Sequence, residues 1–188
     1  MKILVTGNPT YGIAEAISRI LSVEHQLDFV SKTYNNIDLN DQLQLSNFVI
    51  NSHNYDIVIN NARLHSFNQV KLLQQVWQSW AKSSKEGLII NVGSSADQGR
   101  DLADGIYGAE KSALKRLSEL YAFRSTFKKS NIKVTYLSFG WADTPLLNRV
   151  LPNVKKHSAD EIANIIKWVI DYPVTTSNIN EIRVEVTQ

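Results

Sequence analysis

The sequence predicts an α/β fold, a doubly wound parallel sheet of about seven strands with helices on both faces, and two observations carry that prediction. Short apolar, β-branched runs recur at Lys2–Thr6, Leu27–Val30, Asp56–Asn60, Leu88–Val92, Lys133–Leu137 and Glu181–Val186, each of strand length and strand composition. Between them lie segments of helical period, clearest over residues 12–22, 41–51, 66–82, 107–127 and 158–171, where apolar positions such as Leu114, Leu117, Leu120 and Tyr121 fall on one face. Strand and helix alternate, and parallel strands need crossovers of one hand, so a series of βαβ units follows.

Taken in order, the first strand runs into Thr6-Gly7-Asn8-Pro9-Thr10-Tyr11-Gly12-Ile13-Ala14 and then a helix. The second strand ends at Phe29-Val30-Ser31-Lys32-Thr33, and a short extra strand is expected around Tyr34 to Ile37. The third and fourth end in Asn60-Asn61-Ala62 and Asn91-Val92-Gly93-Ser94-Ser95. Ser158-Ala159-Asp160-Glu161 has the pattern of a capping box opening the last helix,. The final run alternates Ile182, Val184 and Val186 with charged residues, as an edge strand with one wetter face does,. No repeat, low-complexity tract or linker divides the 188 residues, so one domain spanning 1–188 is expected,.

Composition narrows the function classes. The chain is 43% hydrophobic and 20% charged, enough to bury one core,. Twenty Lys and Arg against eighteen Asp and Glu leave a net charge of +2 with the basic residues scattered, which is no footprint for nucleic acid or an anionic membrane,. No cysteine is present, so disulfides, a thiolate nucleophile and Cys-based metal sites are excluded, and His25, His53, His65 and His157 lack close ligand spacing, so no metal is expected,. Neither a leader pattern nor a stretch of ~20 apolar residues appears, and a cytoplasmic protein is the expectation,.

The chemistry-bearing residues fall at the carboxyl ends of the strands, where open α/β sheets bind ligands. A glycine turn before a helix lets backbone N–H groups and the helix dipole meet a phosphate, although Gly7 equally serves a tight turn. Asn60 and Asn61 can tie a sheet edge to a helix around a cavity, or form an ordinary turn. Tyr107 and Lys111, four apart, share a helix face, so the ammonium can favour the phenolate of a side chain that otherwise titrates near ~10,. Ser94 or Ser95, from the neighbouring strand end, can donate a hydrogen bond to a substrate oxygen.

In this order these segments resemble the short-chain dehydrogenase/reductase family over nearly the whole chain, as an unusually short member. Thr6-Gly7 with Gly12-Ile13 resembles its glycine motif, Asn60-Asn61-Ala62 its Asn-Asn-Ala-Gly, Asn91 to Ser94 its Asn-x-Ser-Ser, and Tyr107 with Lys111 its active-site pair. Phe139-Gly140-Trp141-Ala142-Asp143-Thr144-Pro145 resembles the Pro-Gly-x-x-x-Thr segment beside the nicotinamide. The resemblance implies a Rossmann-like domain binding a nicotinamide dinucleotide and moving hydride between that cofactor and a small carbonyl or alcohol substrate. Tyr107 is the implied acid/base, Lys111 lowers its pKa and holds the nicotinamide ribose, and the family's serine-to-tyrosine spacing selects Ser94 over Ser95. Gly7, Asn8, Tyr11, Gly12, Ile13, Asn60, Asn61, Ala62, Gly140, Ala142 and Thr144 would line the cofactor, with Asp38-Leu39 where the family flanks the adenine. Lys32, and the lack of a carboxylate at the end of the second strand, favour NADP over NAD.

The chain departs from the family in four places. The glycine loop has one extra residue and Ala14 in place of the last glycine; Arg63 replaces the glycine after Asn60-Asn61-Ala62; the stretch from Ala62 to Ser94 is short, and neither Asn61 nor Asn68 matches the family's catalytic asparagine; the segment after Thr144 is brief. These motivate an alternative, a non-catalytic dinucleotide-binding sensor or interaction module. Trp77, Trp80, Tyr121, Phe123 and Phe127 on helices 66–82 and 107–127 exceed one inward stripe, and a homodimer or homotetramer is expected.

Overall fold

A computed structural model describes residues 1–99, 105–127, 130–172 and 178–186. In chain order the elements are β1 (Lys2–Thr6), α1 (Gly12–Leu21), β2 (Gln26–Val30), α2 (Lys32–Asn35), α3 (Gln42–Asn51), β3 (Ile57–Asn60), α4 (Asn68–Lys82), β4 (Gly87–Val92), α5 (Gly105–Phe127), β5 (Ile132–Phe139), α6 (Pro145–Val150), α7 (Ala159–Asp171) and β6 (Glu181–Val184). The six strands form one parallel sheet in the order β2-β1-β3-β4-β5-β6. Alternating side chains serve opposite faces. Leu4, Val58, Ile89 and Val134 face α3, α4 and α5, and Ile3, Val5, Ile59, Ile90 and Leu137 face α1 and α7,.

The expected strand at Tyr34 to Ile37 is a helical turn instead, and the sheet has six strands among the described residues. Local polar bonds decide this: the Ser31 hydroxyl accepts from Thr33 N–H, the Asn35 amide donates to the Phe29 carbonyl, and Asn36 ends the turn with φ of 59°,. The α7 capping box forms as expected, with Glu161 N–H donating to Ser158 Oγ at 3.1 Å and Ser158 N–H to Glu161 Oε2 at 2.7 Å.

Three of the five aromatics that exceed one inward stripe are core residues. Trp77 stacks on Tyr121 with centroids 4.3 Å apart, joining α4 to α5, and Trp80 is fully buried with its indole N–H on Ser52 Oγ. The wide sheet face needs that much aromatic volume under two helices, which leaves Phe123 and Phe127, with Leu120, exposed on α5. No described helix is long and apolar enough to cross a membrane.

Candidate functional site

The chain reverses direction across the sheet at β1, whose neighbours β2 and β3 are reached by crossovers on opposite faces, so a crevice opens above the carboxyl ends of β1 and β3,. At its floor Gly7 donates N–H to the Val30 carbonyl with φ of 138°. A Cβ there would stand 2.8 Å from Ala14 Cβ and 2.9 Å from Asn61 Nδ2, so only glycine lets α1 and Asn61 approach this closely,. The extra residue is taken up by a closed turn: Tyr11 N–H returns to the Asn8 carbonyl, and Asn8 Oδ1 accepts from both Thr10 N–H and Thr10 Oγ1. Asn8 Nδ2 also ties the loop to Thr33 beyond β2.

α1 begins at this edge. Tyr11 precedes it, exposed, and makes no side-chain cap, while Glu15 is turned along the helix to Arg19. Gly12, with φ of 61°, lies against the Thr144 methyl, and Ile13 packs on the core. An uncapped helix N-terminus behind a glycine turn fits the phosphates of a dinucleotide.

Thr6 and the asparagines hold β1 to β3. Thr6 Oγ1 accepts from the N–H groups of Asn61 and Ala62 at 2.9 Å each, and Asn61 Nδ2 donates to the Thr6 carbonyl. Asn60 is fully buried; its Nδ2 donates to Asn91 Oδ1 and to the Gln69 carbonyl, and its Oδ1 has no partner among the described residues.

Beside β4, α5 presents Tyr107 and Lys111. The Lys111 ammonium is buried 5.6 Å from the Tyr107 ring centroid and donates to Gln69 Oε1 at 2.9 Å and the Val92 carbonyl at 3.0 Å. Burial, and then the Arg63 guanidinium, push its pKa down to about 8,. Gln69 was not singled out from sequence. Its Nε2 donates to the carbonyls of Asn60 and Val92, so one amide on the first turn of α4 joins β3, β4 and the ammonium. The only cue was its place at the opening of that helix, and no residue-type rule marks glutamine there.

Ser94 is placed through Tyr136. That buried hydroxyl lies 3.4 Å from both Ser94 N–H, which donates to it, and the Lys111 carbonyl, to which it donates. Burial, with nearby Asp97, pushes the Tyr136 phenol far above its usual value, so it stays a donor,. Gly93 makes room, since a Cβ would stand 2.2 Å from the Tyr136 ring; Gly108 in turn lets α5 approach the Ala96 carbonyl. Ser94 Oγ caps the short 3-10 turn Ser95–Gln98, and Asp97 in that turn is held by Arg183 of β6 with both carboxylate oxygens at 3.1 Å. Ser94, Tyr107 and Lys111 are thus brought to one edge.

Arg63, which lacks a carboxylate partner among the described residues, lies with its guanidinium carbon 4.7 Å from the Tyr107 ring centroid. At the other end of the crevice Lys32 donates to Asp38 at 2.8 Å, which raises the Lys32 pKa and lowers that of Asp38. Leu39 is buried in the core beside them. Asp28 accepts from the Tyr55 hydroxyl within β2, which leaves the tip of that strand to Ser31, Lys32 and Thr33. Gly140 donates to the Val184 carbonyl and sits beside His157, a buried residue whose Nε2 has no partner among the described residues; Ala142 bridges to the same His157, and Thr144 caps α6. The open α1 terminus is a polar site of the kind a bound dinucleotide satisfies,.

His25 does gather with Glu24 and Asp171, at the opposite edge, where the Lys167 ammonium already bridges the two carboxylates. Two hollows of about 940 and 730 Å³ also lie away from the carboxyl edge, beside residues such as Asp56, Glu86 and Trp77, and no residue singled out for chemistry lines them.

Neither a protein-family model nor a curated protein matches the sequence. Solved structures match nearly all of it. A short-chain dehydrogenase from Sphingobium yanoikuyae in complex with NADPH is 18% identical with a TM-score of 0.75, over 98% of this chain and 87% of that one. A 4-hydroxyisoleucine dehydrogenase complexed with NADH is 20% identical with a TM-score of 0.75, over 97% and 96%. A short chain dehydrogenase from Burkholderia cenocepacia J2315 in complex with NADP is 16% identical with a TM-score of 0.77, over 96% and 86%. The class defined by the sheet order and the crevice is a Rossmann-like, doubly wound α/β protein. Within that class, the fold is that of the short-chain dehydrogenases/reductases.

Proposed function

We propose that this chain is an NAD(P)-dependent oxidoreductase of the short-chain dehydrogenase/reductase type, acting on a carbonyl or alcohol carbon and preferring NADP(H). The observation that carries the reading is the Lys111 ammonium, buried against the Tyr107 ring at the carboxyl edge and fixed by Gln69 and Val92. Two of the ammonium's three hydrogens are engaged there, which leaves the third for the ribose and phenol side. Tyr107 exchanges the proton at its hydroxyl, the positive charge of Lys111 favours the phenolate, and Ser94 orients the reacting oxygen. The bound nicotinamide supplies the carbon that gives or takes hydride. The first turn of α1 holds the phosphates, Asn60, Asn61 and Ala62 shape the crevice wall, and Gly140, Ala142 and Thr144 face the nicotinamide end. Similar folds solved with NADPH, NADP and NADH support a nicotinamide cofactor, and Ser31, Lys32 and Thr33 at the tip of β2 support a 2′-phosphate.

Purified protein with NADPH and a panel of ketones, aldehydes and quinones is expected to turn over, and Tyr107→Phe to lose at least a hundredfold of kcat, in line with the ~10²–10⁴-fold range for general acid–base catalysis. Undiminished turnover in that variant refutes the assignment. The guanidinium on the Tyr107 ring favours a second reading, dinucleotide binding without turnover; a rise in Tm with NADPH and no reaction with any substrate would establish it. Exposed Leu120, Phe123 and Phe127 on α5 support a homodimer or homotetramer, and a monomeric mass by light scattering rejects that,. The lack of cysteine supports the cytoplasm as its compartment,.

A further inference from the structure

Arg63 lies over the ring of the phenol proposed to exchange the proton. Its guanidinium carbon stands 4.7 Å from the Tyr107 ring centroid, the residue as a whole is exposed, and no carboxylate lies within ion-pair distance of it among the described residues. Among the described residues Arg19 pairs with Glu15 and Asp160, Arg116 with Glu119 and Arg183 with Asp97, whereas Arg124, like Arg63, lies over a tyrosine ring. Of the nearby carboxylates only Asp97 is paired with a cation. Glu110 accepts from Phe67 N–H and Asp97 is closed in by Arg183.

A guanidinium over a ring keeps N–H groups available, and its planar fork can grip a carboxylate with two parallel hydrogen bonds. Behind the ring lies a second cation, Lys111, 5.6 Å from the same centroid. Two positive charges thus lie beside the Tyr107 ring, offset in part by Glu110 and Asp97, and the exposed one draws an anion toward Tyr107 and repels a cationic substrate,.

We infer that Arg63 is a specificity-determining residue that binds the carboxylate of an anionic substrate, so that the enzyme acts on oxo acids or hydroxy acids in preference to neutral carbonyl compounds. This rests on the proposed oxidoreductase reading. The occupant is the substrate and not the cofactor's phosphates, because the guanidinium sits on the proton-exchanging ring, whereas the uncapped helix end that fits phosphate lies at α1. The anion also relieves the mutual repulsion of Arg63 and Lys111, the second cause of the depressed Lys111 pKa. Acid binding and a charged Lys111 are thereby coupled.

Matched pairs test it: acetoacetate against methyl acetoacetate, and levulinate against methyl levulinate, each with NADPH and NADH. Wild type is expected to favour the acid by about tenfold or more in kcat/KM, and Arg63→Gln to bring the acid-to-ester ratio near one, chiefly by raising KM for the acid about ten- to hundredfold. Arg63→Lys, with the charge but not the fork, falls between. A second readout needs no turnover: calorimetric titration of wild type with succinate gives saturable heat that Arg63→Gln loses. Equal acid-to-ester ratios in wild type and Arg63→Gln, with turnover intact, overturn the inference and spare the oxidoreductase reading. A raised KM for NADPH with an unchanged ratio places the guanidinium on the cofactor and also overturns it. No turnover of either member of any pair, with no succinate heat, overturns both.

Discussion

Replacing Lys111 by methionine gives a signal that only a buried, depressed ammonium produces. In the folded chain its pKa lies at about 8, against an ordinary 10.5, because burial and then Arg63 disfavour the charged form,. Above pH 8 the folded state has released a proton that the unfolded chain keeps until about pH 10.5. The unfolded state binds more protons in that window, so stability rises with pH by up to ~1.4 kcal/mol per unit. Linkage over these two values gives wild type a gain of about 2–3 kcal/mol between pH 7 and pH 10 that Lys111→Met lacks,. Groups remote from Lys111 titrate alike in both proteins and cancel. At pH 7 the variant escapes a penalty of about 3 kcal/mol, but Gln69 Oε1 and the Val92 carbonyl lose their donor, at about 1–3 kcal/mol,. The two offset each other, so the slope carries the test and the offset does not. Urea denaturation at pH 7, 8, 9 and 10 measures the difference directly. Curves that stay parallel to within 0.5 kcal/mol would refute the buried, positively flanked ammonium.

Three further outcomes follow from the same geometry. Gly93→Ala drives a methyl into the Tyr136 ring, 2.2 Å away, and is expected to cost about 1–3 kcal/mol and displace Ser94; unchanged denaturation midpoints would contradict the close approach,. Asp97→Asn leaves the Arg183 guanidinium without its buried carboxylate, at about 3 kcal/mol, and adding Arg183→Met should restore part of that loss; a variant as stable as wild type would show the pair to be dispensable,. Lys32→Ala should lower the NADPH-to-NADH preference about tenfold in kcat/KM, and an unchanged ratio would show that the Asp38 contact keeps this ammonium from the cofactor,.

The sheet was legible because each strand is a short β-branched run and each crossover helix carries its own apolar stripe; all six such runs became strands. The segment Tyr34 to Ile37 misled because its tendency to extend was outweighed by side-chain bonds from Ser31 and Asn35, which no periodicity reports,. Trp77, Trp80 and Tyr121 misled because counting aromatics against one stripe ignores how much volume the junction of α4, α5 and the sheet must fill,. At the site, residues tied to a strand end, such as Gly7, Asn60, Ser94 and Lys111, could be read from order and spacing. Gln69, Tyr136 and the Asp97–Arg183 pair could not. Each acts across more than twenty residues of sequence, through contacts that exist only once the strands are side by side.

In the proposed reaction hydride passes at the carboxyl edge while Tyr107 handles the proton. Deuterium placed at C4 of NADPH tests it most directly: with a reducible oxo acid, mass spectrometry should find the label on the new alcohol carbon with wild type, and at least a hundredfold less labelled product with Tyr107→Phe, at the lower end of the ~10²–10⁴ range. Product free of deuterium, or labelled equally by the phenylalanine variant, would contradict the account.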